Sequence, residues 1–154
     1  GVAGSGKTTI GRGLAARLGV PFHDGDDFHP PANIAKMAAG IPLRDEDRAD
    51  WLTSIAEQIS LVERKKQNGV ITCSALKKSY RDKLEAASKN IKFVFLHGQH
   101  ELLNERLNSR TGHFMKSKLL HSQLETLEEP KDALKFDISD APEKIVGDII
   151  RTLG

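Results

Sequence analysis

The first eight residues, GVAGSGKT from Gly1 to Thr8, match the pattern G-x-x-x-x-G-K-S/T without a gap and run straight into an apolar helical stretch at Ile10. A loop of this kind turns successive backbone N–H groups inward around a phosphate, a geometry that Cβ atoms at Gly1, Gly4 and Gly6 would obstruct. The run Gly1, Val2, Ala3, Gly4, Ser5, Gly6, Lys7, Thr8 and Thr9 is therefore the candidate cradle for a nucleoside triphosphate. Lys7 is placed to reach the β and γ oxygens, and the Thr8 hydroxyl to hold Mg²⁺. A helix opening at Gly6 adds its N-terminal amides and positive dipole end. Such a loop leaves the C-terminal end of a buried parallel strand, so about four to six apolar residues are expected ahead of Gly1. That requirement narrows the fold to an α/β domain with a parallel sheet.

The rest of the chain agrees, because short apolar runs alternate with longer segments of helical period. Ile10, Leu14, Ala15 and Leu18 give one helix face, which Gly19 and Pro21 terminate. Pro21 to Asp24 reads as a strand. Pro30 and Pro31 open a short helix through about Ala39, closed by Gly40 and Pro42. A longer helix is expected from Asp45, with Trp51, Leu52, Ile55, Ile59 and Val62 on one face. Val70–Ser74, Lys92–His97 and Leu134–Ser139 read as strands. A helix carries Leu102, Leu103, Arg106 and Leu107, and Ile145, Val146, Ile149, Ile150 and Leu153 line the last one. Ser109 to Lys118 lacks helical period and holds Gly112 among polar groups, which suggests a mobile loop. One domain over 1–154 is expected, since 154 residues at 38% apolar content suffice for one core and not comfortably for two.

Charge and cysteine content exclude several classes of function. A balance of 23 Lys and Arg against 21 Asp and Glu gives +2, no reason to expect a nucleic-acid partner. Cys73 is the lone cysteine, so no internal disulfide exists and a reducing, cytoplasmic setting is expected. Its place in VITCS suits a buried thiol rather than a nucleophile. No run approaches 18 apolar residues, so no membrane span is expected within the chain.

In open parallel sheets ligands bind beyond the carboxyl ends of the strands, and the second dense cluster, DGDDFHP, sits at such an end. Three carboxylates beside a triphosphate would repel it unless Mg²⁺ and a hydroxyl-bearing acceptor lie between. Asp24 then suits the metal or its waters, and Asp26 suits proton acceptance from the attacking hydroxyl. Asp27 is a candidate helix N-cap instead, and His29 is equally readable as a solvent-facing loop residue. Arg48 can pair with Asp45 on its helix surface. Lys77 and Arg81, four apart beyond Ser74, make a cationic face for a carboxylate or phosphate. Arg106 and Arg110 are also four apart, and arginines carried by a closing loop stabilise charge on a migrating phosphoryl group. Neither H-x-x-x-H nor a Cys/His cluster occurs, so zinc is not supported.

GVAGSGKT, DGDDFHP followed by N-I-x-K-M, G-I-P-L-x-D-x-D-R-x-x-W-L, CSALKKSYRD, R-x-G-H-F-M and Q-x-E-T-L-E-x-P occur in this order. Together they resemble the gluconokinases of the P-loop kinase superfamily, from Gly1 to about Pro130 and more weakly beyond. The resemblance implies a three-layer P-loop kinase fold, a parallel sheet flanked by helices, and ATP-dependent, Mg²⁺-assisted phosphorylation of D-gluconate to 6-phosphogluconate. By the same likeness Asp26 is the base and Asp24 a magnesium neighbour. His29, Arg48, Ser74, Lys77, Arg81 and His113 line the gluconate pocket. The lid spans about 109–118, with Arg106 near adenine and Arg110 on the phosphates. Family members are often homodimers. One departure concerns VITCS, which ends without the Asp that many P-loop enzymes offer the metal.

Three other functions share parts of this pattern. A GTPase-type switch needs D-x-x-G after a strand and N-K-x-D, and neither string occurs. A nucleoside monophosphate kinase brings a second phosphate against Asp24 and Asp26, which would repel it. A shikimate kinase shares the D-x-D arrangement and is disfavoured only by the CSALKK and GHFM strings.

Overall fold

The computed structural model describes residues 1–109 and 113–154, with side chains at 1–109 and 117–154. Helix α1, Lys7–Leu18, starts directly on the phosphate loop and ends where Gly19 turns left-handed at φ 66°. The Gly19 and Val20 amides then close the last turn on Ala16 and Ala15 carbonyls. Strand β1, Phe22–Asp24, follows, and a single 3₁₀ turn, Gly25–Phe28, leads to α2, Pro31–Ala38, and α3, Asp45–Arg64. Next come β2, Val70–Thr72, α4, Lys78–Glu85, β3, Val94–His97, and α5, His100–Asn108. The chain closes with α6, His113–Thr126, β4, Leu134–Asp137, and α7, Pro142–Leu153.

The strands pair in parallel, β1 with β2 and β3 with β4, with Asp24 opposite Thr72 and His97 opposite Asp137. Parallel pairing demands long crossovers, here α2 with α3 and α5 with α6. Gly1 of the phosphate loop meets both pairs at their carboxyl ends, donating to the Ser74 carbonyl just past β2 and lying against the Leu96 carbonyl near the end of β3. A cavity of about 750 Å³ separates the two pairs, lined among others by Ile55, Ile71, Cys73, Phe95, Leu96 and Ile149. Gly1, at the start of the phosphate loop, is also on its wall.

The core forms where the apolar periodicities converge: Ile10 and Leu14 of α1, Trp51, Leu52 and Ile55 of α3, and Ile145, Val146 and Ile149 of α7 are all buried. The expected faces run out at their ends, because Leu18 and Leu153 remain 43% and 41% exposed. A second difference concerns the loop expected over Ser109–Lys118. Ser109 caps α5, residues 110–112 lie outside the described residues, and α6 is already helical from His113. The apolar series that betrays this helix is buried Leu120 with half-buried Leu124 and Leu127. It lies beyond Lys118, where the polar window had ended.

Candidate active site

The loop adopts the conformation its glycines permit. Gly4 and Gly6 sit at φ 81° and 85°, and a Cβ at Gly4 would lie 2.9 Å from the Leu103 carbonyl oxygen. No side chain caps α1, so its first amides are open to an anion, an arrangement that fits phosphate. The Lys7 ammonium arcs back to donate to the Gly1 and Val2 carbonyls, both at 3.0 Å. Burial pulls its pKa below the ordinary lysine value, while the charges of Asp26, Cys73 and Asp24 oppose that shift. The Ala3 amide donates to Gln123 Oε1 at 2.7 Å, which ties the loop to α6.

Asp24 joins this loop to the acidic turn. Its Oδ2 accepts from the Thr8 hydroxyl at 3.2 Å, and its Oδ1 accepts from the Asp26 amide at 3.0 Å and the Thr72 hydroxyl at 3.2 Å. Asp24, not Asp27, is therefore the capping carboxylate, and it caps the 3₁₀ turn. The N-cap of α2 is Pro30, so the capping alternative for Asp27 fails. Thr72 in turn accepts from the Gly25 amide at 3.2 Å. Gly25 approaches β2 so closely that a Cβ there would lie 2.0 Å from the Thr72 carbonyl oxygen. Held this way, the Asp26 carboxylate stays exposed, and its charge acts on both Lys7 and His29. A hydroxyl and a carboxylate, both hard oxygen donors, fit Mg²⁺ at the Thr8–Asp24 junction.

His29 is buried and stacks on Trp51 with ring centroids 4.3 Å apart and 13° between planes. The indole is itself fixed, since Trp51 Nε1 donates to the Gly25 carbonyl at 2.7 Å. The reading of His29 as a solvent-facing loop residue is thereby overturned. Arg48 is also buried and does not pair with Asp45 directly: its Nη1 donates to the Tyr80 hydroxyl at 3.1 Å, and that hydroxyl donates to Asp45. Lys77 reaches the same carboxylate at 2.9 Å. The hydrogen bonds from Tyr80 and Lys77 hold the Asp45 pKa below its usual range, and the Asp45 bond raises that of Lys77.

Arg81 departs from the expected joint cationic face with Lys77. Lys77 is the extended N-cap of α4, while the Arg81 guanidinium folds back onto the carbonyls of Ala75, Leu76 and Glu128 at 2.7, 3.2 and 2.7 Å. It clamps a strained loop, because Ala75 holds φ at 42°, a region that disfavours a residue with a Cβ. Glu128 completes the clamp by accepting from the Lys78 amide at 2.8 Å. Ser74 is half-buried in the same loop. Beside the phosphate loop, Arg106 donates to the Ile138 carbonyl at 2.6 Å and, with Gly4, Gly6, Thr9 and Asp140, lines a cavity of about 250 Å³. Arg110 and the side chain of His113 lie outside the described residues. Cys73 lines the large cavity, and burial pushes its thiol up to about 11, as suits an inert structural group.

Four participants escaped the sequence reading: Thr72, Tyr80, Asn33 and Gln123. Each lies inside a quoted string or strand, yet a lone hydroxyl or amide carries no periodicity or charge pattern to mark it.

A phosphate loop at a strand rim, with an acidic turn wired to it through Asp24, defines a kinase of the P-loop type. A family model described as Shikimate kinase matches residues 3–153. The chain is 47% identical over 143 residues to the thermosensitive gluconokinase of Escherichia coli, covering 90% of this chain and 76% of that relative. It is 41% identical to the thermoresistant gluconokinase of the same organism, covering 99% and 90%. The crystal structure of a gluconokinase from Sinorhizobium meliloti superposes with a TM-score of 0.88 at 45% identity, over 97% of this chain and 86% of that one. This chain belongs to the gluconokinase family, within the wider shikimate kinase group.

Proposed function

We propose that this protein transfers the γ-phosphoryl group of ATP to the terminal hydroxyl of D-gluconate, giving 6-phospho-D-gluconate and ADP. The observation that supports the reading is the Asp24 bridge, which joins Thr8 of the phosphate loop to the Asp26 backbone amide, with the Asp26 charge acting on both Lys7 and His29. Asp26 orients the attacking hydroxyl and accepts its proton. The amides from Gly1 to Thr9 hold the phosphates, and Lys7 leaves its carbonyl partners to follow the γ oxygens. Thr8 and Asp24 would hold Mg²⁺, which when bound neutralises charge on the β and γ oxygens. Arg48 and Lys77 read the gluconate carboxylate and His29 a hydroxyl, with Ser74 and His113 beside them, while Arg81 shapes the loop that presents Lys77. Arg106 borders the base, and Arg110, on a lid over about 109–118, meets the transferring phosphoryl group. The setting is cytoplasmic, consistent with the lone inert thiol, and the working unit is a single domain able to pair as a homodimer. Among the described residues no helix is long and apolar enough to cross a membrane.

The test replaces Asp26 with Asn and measures turnover and ATP affinity separately. Turnover is expected to fall on the order of 10²-fold or more with ATP binding retained; unchanged turnover would remove Asp26 from the chemistry. A coupled assay offering gluconate, shikimate, AMP and glucose settles the acceptor, with gluconate expected to dominate.

A further inference from the structure

The side-chain amide of Asn33 makes two contacts through one atom. Its Nδ2 donates to the Asp47 carbonyl at 2.7 Å and lies 3.2 Å from His29 Nδ1. The carbonyl of Asp47 accepts only, so the end of the amide facing it must be the NH₂ group. That same nitrogen has one further hydrogen and no lone pair to offer, so toward His29 it can only donate. His29 Nδ1 must then accept, and the ring proton must sit on Nε2. An imidazolium would set Nδ1–H against N–H.

The surroundings leave little room for an alternative. Asn33 is 2% exposed and His29 8%, and the stacked Trp51 at 1% blocks one ring face. The charged groups facing the ring are Asp26 from the 3₁₀ turn, which favours a protonated ring, and Arg48 from α3, which disfavours it. The Asp47 carboxylate, which could have competed, is taken by Lys36 at 2.8 Å and by the Arg44 amide at 2.9 Å. Nε2 makes no hydrogen bond among the described residues and is not sealed from solvent, since Ser5 Oγ is the one buried unpaired side-chain atom there. The donor edge of the ring is therefore free for a ligand.

We propose that Asn33 is a positioning residue that locks His29 in its neutral Nε2–H tautomer, making His29 a pure hydrogen-bond donor to a hydroxyl oxygen of the sugar acid. The second half rests on the reading of His29 as part of the gluconate side; the lock itself does not. A neutral donor selects hydroxyl oxygens without competing for the carboxylate, which leaves charge recognition to Arg48 and Lys77. The arrangement also explains a buried asparagine in the first turn of a helix.

Long-range ¹H–¹⁵N correlation spectra of the ¹⁵N-labelled wild-type chain test the lock without any substitution. The expected pattern near neutral pH is a pyridine-like Nδ1 and a pyrrole-like Nε2 for His29. A pyrrole-like Nδ1, or two protonated nitrogens, overturns the proposal. Asn33→Leu should mix the tautomers and raise the gluconate KM roughly three- to tenfold, as for one lost hydrogen bond, with the ATP KM unmoved. Asn33→Asp should instead accept from Nδ1–H, protonate the ring and impose a new titration near neutrality on the gluconate KM. If Asn33→Leu leaves the tautomer pure, the lock is wrong. If the spectra follow the expected pattern in all three proteins while the gluconate KM stays level, the lock stands and His29 does not read gluconate. If no variant turns over gluconate but another acid is phosphorylated, the acceptor assignment fails rather than the lock.

Discussion

The two halves of the site are built from different materials. The phosphate side is one contiguous stretch, Gly1 to Thr9, whose working groups are backbone amides set by left-handed glycines and the uncapped start of α1. The proposed acceptor side is assembled from four separated pieces, the 3₁₀ turn, α2, α3 and α4, and its polar groups are side chains fixed by other side chains. Trp51 holds His29 from one face and Asn33 from its edge, while Tyr80 stands between Arg48 and Asp45. A backbone cradle serves any triphosphate, whereas a pocket of mutually oriented side chains is where acceptor choice resides. Asp24 is the hinge of the comparison, since it bonds Thr8 on one side and Asp26 on the other.

The largest effect should come from the phosphate side. Lys7→Met removes a cation held within the loop and is expected to lower kcat/KM on the order of 10²–10³-fold, for gluconate and for any poorer acceptor alike. Steady-state kinetics with two acceptors check this. A loss confined to gluconate would mean that Lys7 acts on the acceptor, and the division between halves would dissolve.

Next is Gly25→Ala, which drives a methyl group toward the Thr72 carbonyl, against backbone that cannot swing aside. A destabilisation of roughly 3 kcal/mol is expected, read as a lowered urea midpoint. Because the Gly25 carbonyl also receives the Trp51 indole, the folded remainder should bind gluconate more weakly while ATP affinity holds.

How much of this was legible in the chain follows the same division. GVAGSGKT names its own structure, because the spacing of glycines, Lys and Thr is the structure. DGDDFHP announced a carboxylate cluster at a strand end, but which acid caps and which stays free depended on Thr8 and Thr72, residues 16 and 48 positions away from Asp24. Arg48 and Arg81 show the limit most clearly. Spacing put each on a helix face, yet only the packed structure reveals that one leans on Tyr80 and the other spends its donors on three carbonyls. Helical period located α1, α3 and α7 because their cores are aliphatic stripes. It missed the start of α6, where polar and apolar residues do not segregate until Leu120.

Tyr80→Phe sharpens the acceptor half with a smaller change. Removing one hydroxyl frees Arg48 Nη1 and one Asp45 oxygen while keeping the ring in the core. The gluconate KM should rise about tenfold, corresponding to roughly 1.4 kcal/mol for a hydrogen bond to a charged group. The ATP KM should not move. Equal penalties on gluconate and on an uncharged polyol would show that Tyr80 supports folding and does not orient Arg48 for a carboxylate.

The smallest expected effect is on stability against pH, and its sign follows from His29. Burial disfavours the imidazolium and, with Arg48, lowers the folded-state pKa from the usual 6.5, against the pull of Asp26. Between that lowered value and 6.5 the unfolded chain binds more protons than the folded one, so stability must fall as the pH drops through this window. Above 6.5 the contribution is complete. Urea midpoints measured from pH 7.5 down to pH 5 should therefore decline more steeply for the wild type than for His29→Gln, which carries every other titrating group unchanged. Parallel curves would mean that His29 takes up its proton in the folded protein as readily as in the unfolded chain. In that case the acceptor side would tolerate an imidazolium, and the contrast between a charge-reading pair and a neutral donor would lose its physical basis.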